Sequence, residues 1–190
     1  LVKGGTYGAQ NIANRSGITG VTIRPAPGES AVFTQEFNIK THDLVIDGGD
    51  QTGVNEPDRF QVNGDQDGSD MGLDFGWGNN SPAVKNNVVE DVHARNVYYD
   101  DDSSGNNFRY GEAGPSNLGG KNLCSDLVQS GDAYFIVEYN LVHDNKDTGC
   151  GGAHIDAMDL NPADSPQSVV RGNRIWWCGT QCVFTGDPGS

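Results

Sequence analysis

The sequence predicts an all-β solenoid of short parallel strands, and three observations carry this prediction. Apolar segments are short, rich in β-branched residues and alternate as strands do, and Gly, Asn, Asp or Pro ends each one before a helix of ordinary length is complete. Two early segments, Val21–Ile23 and Leu44–Ile46, lie 23 residues apart, which suits one coil of three short strands and their turns. The third observation is a repeat with asparagine at a fixed place.

The repeat comprises residues 90–101, 134–145 and 167–178, which superpose without gaps. Each unit has an apolar residue, asparagine four positions later and a second apolar residue two positions beyond it. The three sets are Val92-Asn96-Tyr98, Ile136-Asn140-Val142 and Val169-Asn173-Ile175. Asparagine tolerates left-handed turns, and its amide can hydrogen-bond to the coils above and below. We therefore expect the first apolar residues to stack in one column and the asparagines in another.

Successive units are 44 and 33 residues apart, so residues beyond one coil must leave the solenoid as loops. The largest predicted excursion is Asp100–Asn122, and a second is Asp144–Ala153. Loops inserted on one face of a solenoid commonly build its binding surface.

Length and charge limit the classes of function. The 190 residues are predicted to form one domain, 1–190, and to be a piece of a longer chain, because the pattern is already under way at both ends. A net charge of −14 repels nucleic acid and anionic membranes, and no stretch approaches the roughly 20 apolar residues of a membrane span. The same charge fits either solubility in an extracellular medium or a bridging Ca²⁺ between the protein and an anionic polymer.

Four cysteines indicate an oxidising, extracellular compartment. They are Cys124, Cys150, Cys178 and Cys182, and their spacing does not match a zinc site. Three connectivities are open, and we favour a disulfide between Cys150 and Cys178.

Several segments resemble one family. KGGTYGAQNI and VTIRPAPGE near the start, LVIDGGD after them, and SVVRGNRIWWCGTQCVFTGD near the end are similar to the pectate-lyase-like superfamily of secreted bacterial proteins. The resemblance implies a right-handed parallel β-helix with loop excursions over the whole chain. It also implies a range of activities, from polysaccharide lyases, hydrolases and epimerases to noncatalytic adhesins, because a shared fold does not determine function.

The segment 149–159 holds the first candidate catalytic residues. In a strand, His154 and Asp156 would share one solvent-reachable face, and Asp159 would rejoin that face at a bend. A histidine beside a carboxylate can act as a general base, and two carboxylates can divide acid and base roles. The alternative is that these side chains bond to turn backbone beneath the Asp144–Ala153 loop.

Arg171 and Arg174 complete the predicted catalytic set from the adjoining coil. The resemblance implies this role, since lyases of the superfamily often use Arg or Lys as the base with Ca²⁺ at the uronate carboxylate. Arginine is a reluctant base because its pKa exceeds about 12. The alternative is that both guanidinium groups pair with surface carboxylates.

Acidic and aromatic residues supply the remaining candidates. Asp100, Asp101 and Asp102 are predicted ligands of Ca²⁺, which favours oxygen donors on a flexible loop, although such loops can also be merely solvated. Trp77, Trp176 and Trp177 are predicted to stack on sugar rings. Because Trp176 and Trp177 are adjacent in a strand, at least one must lie outside the core.

Together these features predict a secreted polysaccharide lyase or glycoside hydrolase acting on an extracellular polysaccharide. The alternative is a noncatalytic module for carbohydrate binding, adhesion or filament formation, with end-to-end or lateral self-association through open sheet edges.

Overall fold

A computed structural model describes residues 1–13, 19–49, 59–64, 72–76, 84–100, 103–120, 124–146, 150–151, 155–162 and 168–185. These residues form no helix, as the short interrupted apolar segments predict. They form nineteen strands: β1 (Gly5–Tyr7), β2 (Gln10–Ala13), β3 (Thr22–Ile23), β4 (Ala31–Phe33), β5 (Phe37–Lys40), β6 (Val45–Asp47), β7 (Phe60–Val62), β8 (Leu73–Phe75), β9 (Val88–Glu90), β10 (His93–Ala94), β11 (Val97–Tyr99), β12 (Ser104–Arg109), β13 (Glu112–Ala113), β14 (Val128–Glu138), β15 (Leu141–His143), β16 (Asp156–Pro162), β17 (Val169–Arg171), β18 (Arg174–Trp176) and β19 (Gln181–Thr185).

The strands lie in three parallel sheets. Sheet 1 has the order β1-β4-β7-β10-β13-β15-β18. Sheet 2 has the order β2-β5-β8-β11-β14-β16-β19, and sheet 3 has the order β3-β6-β9-β12-β14-β17. The eleven-residue strand β14 belongs to both sheet 2 and sheet 3. The chain thus visits the sheets in rotation, and this order is compatible with a parallel β-helix.

The 23-residue spacing of the early segments is confirmed as one coil. Thr22 pairs with Val45 and Ile23 pairs with Ile46, in parallel register between β3 and β6. Other coils differ in length. His93 is 19 residues from its partner Glu112 in the next coil, because little chain leaves the sheets there.

The core lies inside the three sheets and follows the alternation of each strand. In sheet 3 one inward column contains buried Ile46, Val89, Phe108 and Val137, which are in register from β6 to β14. Burial of each such side chain stabilises the fold by about 1.5–3 kcal/mol. Parallel register places like residues above one another, so each coil covers the apolar side of the previous one.

The predicted columns are correct for two of the three units. Ile136 is in register with Val169, and Asn140 donates from Nδ2 to Oδ1 of Asn173 at 3.1 Å. Both residues of the first unit are misplaced. Val92 lies between sheets 3 and 1, and the residue in register with Ile136 is Asn107 of β12.

The asparagine of the first unit, Asn96, lies at the corner between sheets 1 and 2, where its Oδ1 accepts from the Gly72 amide at 2.6 Å. A separate ladder forms between sheets 2 and 3, where Asn87 donates from Nδ2 to Oδ1 of Asn106 at 2.9 Å. Asparagines therefore line more than one corner, and their spacing alone does not identify the corner.

The predicted excursion Asp100–Asn122 is wrong over most of its length. It contains β12 and β13, which supply sheet 3 and sheet 1 with one strand each. Phe108 within it is fully buried in the core, and Asn106 belongs to the corner ladder. Among its described residues, only the later part, with exposed Asn117, Gly119 and Gly120, forms an exposed turn.

The predicted disulfide between Cys150 and Cys178 is also wrong. Cys150 bonds to Cys124, with Cα atoms 5.3 Å apart, and Cys178 bonds to Cys182, with Cα atoms 4.7 Å apart. The prediction that cysteines near the end of the chain are oxidised is confirmed.

Local backbone explains the observed pairing. Gly179 has a φ of 72°, so the chain turns directly after Cys178 and brings Cys182 within reach. On the other side, Asn145 donates from Nδ2 to the Ser125 carbonyl. That contact holds the chain before Cys150 beside the previous coil, next to Cys124.

The described part of the chain contains no helix that is long and apolar enough to cross a membrane.

Candidate functional site

The outer face of sheet 1 carries titratable side chains in consecutive coils. Along β10, β13, β15 and β18 the inward residues are Ala94, Ala113, Val142 and Ile175. The outward residues in register are His93, Glu112, Leu141 and Arg174. Because neighbouring strands stand about 4.8 Å apart, side chains of successive coils can reach one another across this face.

His143 is the centre of this cluster. It lies in β15 two residues after Leu141, so it shares the outward side. Its Nε2 lies 2.9 Å from Oε1 of Glu112 in the previous coil, and its Nδ1 lies 2.8 Å from Oδ2 of Asp144. One imidazole therefore joins two carboxylates from opposite sides.

His93 reaches the same carboxylate from the coil before. Its Nε2 lies 2.6 Å from the Gly114 carbonyl and 3.3 Å from Oε1 of Glu112. A carbonyl oxygen only accepts, so this Nε2 carries the proton and donates. Oε1 of Glu112 thus faces two histidines, whereas the described residues provide no hydrogen-bond partner for Oε2.

The cluster favours a charged His143. Burial by itself lowers the pKa of His143, but the hydrogen bonds to Glu112 and Asp144 outweigh it and raise this pKa above the ordinary value of 6.5. The ring also stacks on Trp176, with centroids 4.4 Å and planes 3° apart. A cation over the electron-rich face of a tryptophan is attracted to it.

Arg174 and Trp177 border this face. Arg174 is exposed, lies in register with Leu141, and makes no ion pair with the described residues. Trp177 is 71% exposed with a φ of 52°, and its carbonyl accepts from the Asn145 amide at 2.9 Å. The backbone contact holds an exposed aromatic ring beside the cluster. The adjacent Trp176 has one ring face on His143, so that face is not open to a sugar.

The predicted catalytic residues around Asp156 are not brought together. Asp156 is 1% exposed, so the prediction that it lies on a solvent-reachable face is wrong. Its amide donates to Oδ1 of Asp126, and its carbonyl accepts from Asn145. Asp156 shares the inward side of β16 with buried Met158, and Asp159 is on the other side. Both contacts are made by the backbone of Asp156, so the alternative, in which its side chain bonds to turn backbone, stays a prediction. His154 lies outside the described residues.

Arg171 is on a different sheet from Arg174. It lies in β17, the strand next to β14 in sheet 3. Its Nε donates to Oε2 of Glu138 at 2.7 Å, and this hydrogen bond raises the pKa of Arg171. Burial would raise the pKa of Glu138, but hydrogen bonds from Asn107 and Arg171 bring it below the usual value. The alternative prediction of a paired guanidinium holds for Arg171.

Several predicted ligands lie outside the described residues, namely Trp77, Asp101 and Asp102. Asp100 is described and half-buried, and its backbone amide donates to the Phe75 carbonyl. The described ranges contain no group of three or more His, Cys, Asp or Glu side chains arranged to hold a metal ion. Calcium therefore stays a prediction, and no chemical step here depends on it.

Glu112, His143 and Asp144 were missed by the sequence analysis. Glu112 fell within the segment assigned to a loop, so it was not considered as a strand residue. A usable signal was present, because the dipeptide His-Asp occurs at 42–43 and again at 143–144. Both pairs follow a strand, although at different corners of the coil, so the repeat marks a local histidine–aspartate contact rather than one position in the coil.

No protein-family model, curated protein or solved structure matches the chain.

Proposed function

We propose that this chain is a secreted right-handed parallel β-helix protein of the pectate-lyase-like type that cleaves an extracellular polysaccharide by lyase or glycoside hydrolase chemistry. The observation that carries the proposal is the placement of Glu112 and Asp144 on the two ring nitrogens of His143. The cluster lies on the outer face of a sheet, where an extended polymer can lie across several coils.

The cluster of Glu112, His143 and Asp144 holds an extra proton. Both neighbours of the His143 ring are carboxylates, which only accept when ionised, whereas a neutral imidazole has a single N–H. Two hydrogen bonds at 2.8 and 2.9 Å therefore require an imidazolium, or a proton on one carboxyl group. Either way the group Glu112–His143–Asp144 holds one proton more than a neutral histidine between two carboxylates. That proton is available for transfer.

The two carboxylates favour hydrolysis over elimination. The His143 ring lies between the bonded oxygens of Glu112 and Asp144, so a substrate approaches the outer oxygens of these carboxyl groups, and one can act as the acid and the other as the base. In hydrolysis, His143 transfers its proton to Oε1 of Glu112, and rotation of the protonated carboxyl group presents that proton to the glycosidic oxygen as the C–O bond breaks. Asp144 takes a proton from the attacking water, whose oxygen bonds to the sugar carbon. Asp144 then releases this proton to solvent and His143 takes one up, which restores the starting state.

The surroundings support a polymeric substrate. Exposed Trp177 offers an aromatic face for a sugar ring, and exposed Arg174 offers donors to hydroxyl or carboxylate groups. Two disulfides are consistent with an extracellular location. The sequence resemblance to secreted β-helix proteins points to the same class of substrate.

The noncatalytic alternative rests on the saturation of the cluster. Both nitrogens of His143 are bonded within the protein, so the ring itself does not reach a ligand. A module that only binds polysaccharide would use Trp177 and Arg174 and leave the cluster structural. End-to-end or lateral self-association through open sheet edges belongs to this alternative.

The test is an assay of the purified chain on a panel of neutral and anionic polysaccharides. Reducing-sugar release reports hydrolysis, and ultraviolet absorbance of unsaturated ends reports elimination. We expect hydrolysis of at least one polymer, and a loss of about 10²–10⁴-fold in kcat/KM for Glu112→Gln, because a general acid contributes about that much. Glu112 is partly exposed, so the variant should fold.

His42→Gln is the matched control, since it removes a histidine from the other His-Asp dipeptide and leaves the cluster intact. It should keep full activity. Activity that survives in Glu112→Gln contradicts the assignment of the cluster. Saturable binding of a polysaccharide without turnover, lost on Trp177→Ala, favours the binding module instead.

A further inference from the structure

A cavity of about 280 Å³ lies at the corner between sheets 2 and 3 near the first coil. Its walls are mainly apolar and include Ile12 of β2, Val21, Ile23 of β3 and Leu44. Asn11, Thr41 and His42 add polar groups to the lining. This combination of an apolar body with few polar groups is typical of small-molecule sites.

His42 presents an unused acceptor to this cavity. Its Nδ1 lies 2.8 Å from Oδ2 of Asp43, and the hydrogen bond from His42 lowers the pKa of Asp43, which therefore stays ionised and accepts. The proton consequently sits on Nδ1, and in the neutral ring Nε2 carries a lone pair. Among the described residues, Nε2 of His42 has no hydrogen-bond partner. One carboxylate orients the ring and leaves its other nitrogen open.

We propose that this cavity binds a neutral single-ring molecule with one hydroxyl group, of the phenol class, whose O–H donates to Nε2 of His42. The size fits, because a cavity of about 150 Å³ lined by apolar side chains holds benzene. A sugar is disfavoured, since Asn11, Thr41 and His42 cannot pair all of its hydroxyl groups, and the others would lie against the apolar part of the lining without partners. The carboxylate of Asp43 and the net charge of −14 disfavour an anion.

The site is independent of the proposed polysaccharide chemistry. It uses the first coils of the chain, whereas Glu112, His143 and Asp144 lie in later coils of sheet 1. Failure of either proposal therefore leaves the other unaffected.

The experiment is an NMR titration of the methyl-labelled chain with p-cresol, at a pH above the ordinary range of histidine. We expect saturable shifts of the methyl groups of Ile12, Val21, Ile23 and Leu44. Toluene has the same ring and methyl group without the hydroxyl, so it should bind roughly 2- to 10-fold more weakly, the value of one hydrogen bond. The methyl spectrum also reports whether each variant is folded.

Two variants separate the cavity from the hydroxyl contact. Val21→Trp places a large side chain in the cavity from a position that is 38% exposed, and should abolish saturable shifts. Val170→Trp, at a position 45% exposed in the last coil, is its control and should leave binding unchanged. His42→Phe should bind p-cresol and toluene equally. The proposal is overturned by an absence of saturable shifts at these methyl groups, by equal affinity for the two compounds in the wild type, or by unchanged binding in Val21→Trp.

Discussion

The two His-Asp dipeptides of this chain have the same local geometry and different chemical settings. In both, Nδ1 of the histidine lies 2.8 Å from Oδ2 of the aspartate, and the aspartate has a left-handed φ, 53° at Asp43 and 58° at Asp144. Among the described residues His42 has no second partner, and it lines a cavity. His143 meets Glu112 on its other nitrogen and stacks on Trp176.

The difference shows that the neighbouring coil, rather than the dipeptide, determines how many carboxylates bond to the histidine. In the first pair, the hydrogen bond from His42 lowers the pKa of Asp43. At His143, a second carboxylate raises the pKa of the histidine instead, although burial opposes this. In a parallel coil structure, a residue 31 positions earlier in the chain can therefore convert an oriented acceptor into a proton store.

The region around His143 contains both disulfides, because both lie after residue 123, whereas the region around His42 contains none among the described residues. Replacing Cys124 and Cys150 by Ser should lower the free energy of unfolding by about 3.5 kcal/mol, and replacing Cys178 and Cys182 by about 2 kcal/mol, because the longer closed segment restricts the unfolded chain more. The sequence separations are 26 and 4. Urea unfolding of both double variants measures this difference.

The shorter disulfide also tests whether the later pair depends on its surroundings. It begins one residue after Trp177, so its removal should broaden NMR signals of His143 while leaving those of His42 sharp. Equal destabilisation by the two double variants contradicts the chain-entropy argument. Broadening at His42 contradicts the separation of the two regions.

The sequence predicted the fold better than the site because repeated apolar segments must bury one side of every coil. Val21–Ile23 and Leu44–Ile46 identified a coil correctly, and Ile136 with Val169 identified another. The site depends on which side chains meet between coils, and that requires the exact register. Assigning Asp100–Asn122 to a loop removed one whole coil from the alignment.

Losing that coil separated Glu112 from His143 in the predicted arrangement, although they lie in adjacent strands. Asn96 was misaligned for a different reason, because it lies one strand further along its coil than Asn140 does. Strand alternation predicted that Asp156 faces outward. Asp156 begins β16 on the same side as Met158 and Leu160, which face the core, so it faces inward. Alternation in the sequence shows which residues share a side of a strand, but it does not show which of the two sides faces the core.

We expect a smaller effect of pH on the free energy of unfolding, and it comes from His143. The folded pKa of His143 is raised above 6.5, so the folded state binds a proton more tightly than the unfolded state. The stabilisation is therefore fully present below pH 6.5 and is lost as the pH rises through the folded pKa. We expect the free energy of unfolding of the wild type to fall over that interval, as measured by urea unfolding at successive pH values.

His143→Gln should remove this decline, since glutamine does not titrate, and Glu112→Gln should reduce it, because one of the two carboxylates that favour the imidazolium is gone. His42→Gln is the matched control and should retain the wild-type slope. The partner of His42, Asp43, affects stability only at acidic pH. Its lowered pKa contributes stability above pH 3.8, and this stability is lost as the pH falls. If His42→Gln flattens the decline and His143→Gln does not, the second carboxylate is not what distinguishes the two pairs, and the proton store assigned to Glu112, His143 and Asp144 does not exist.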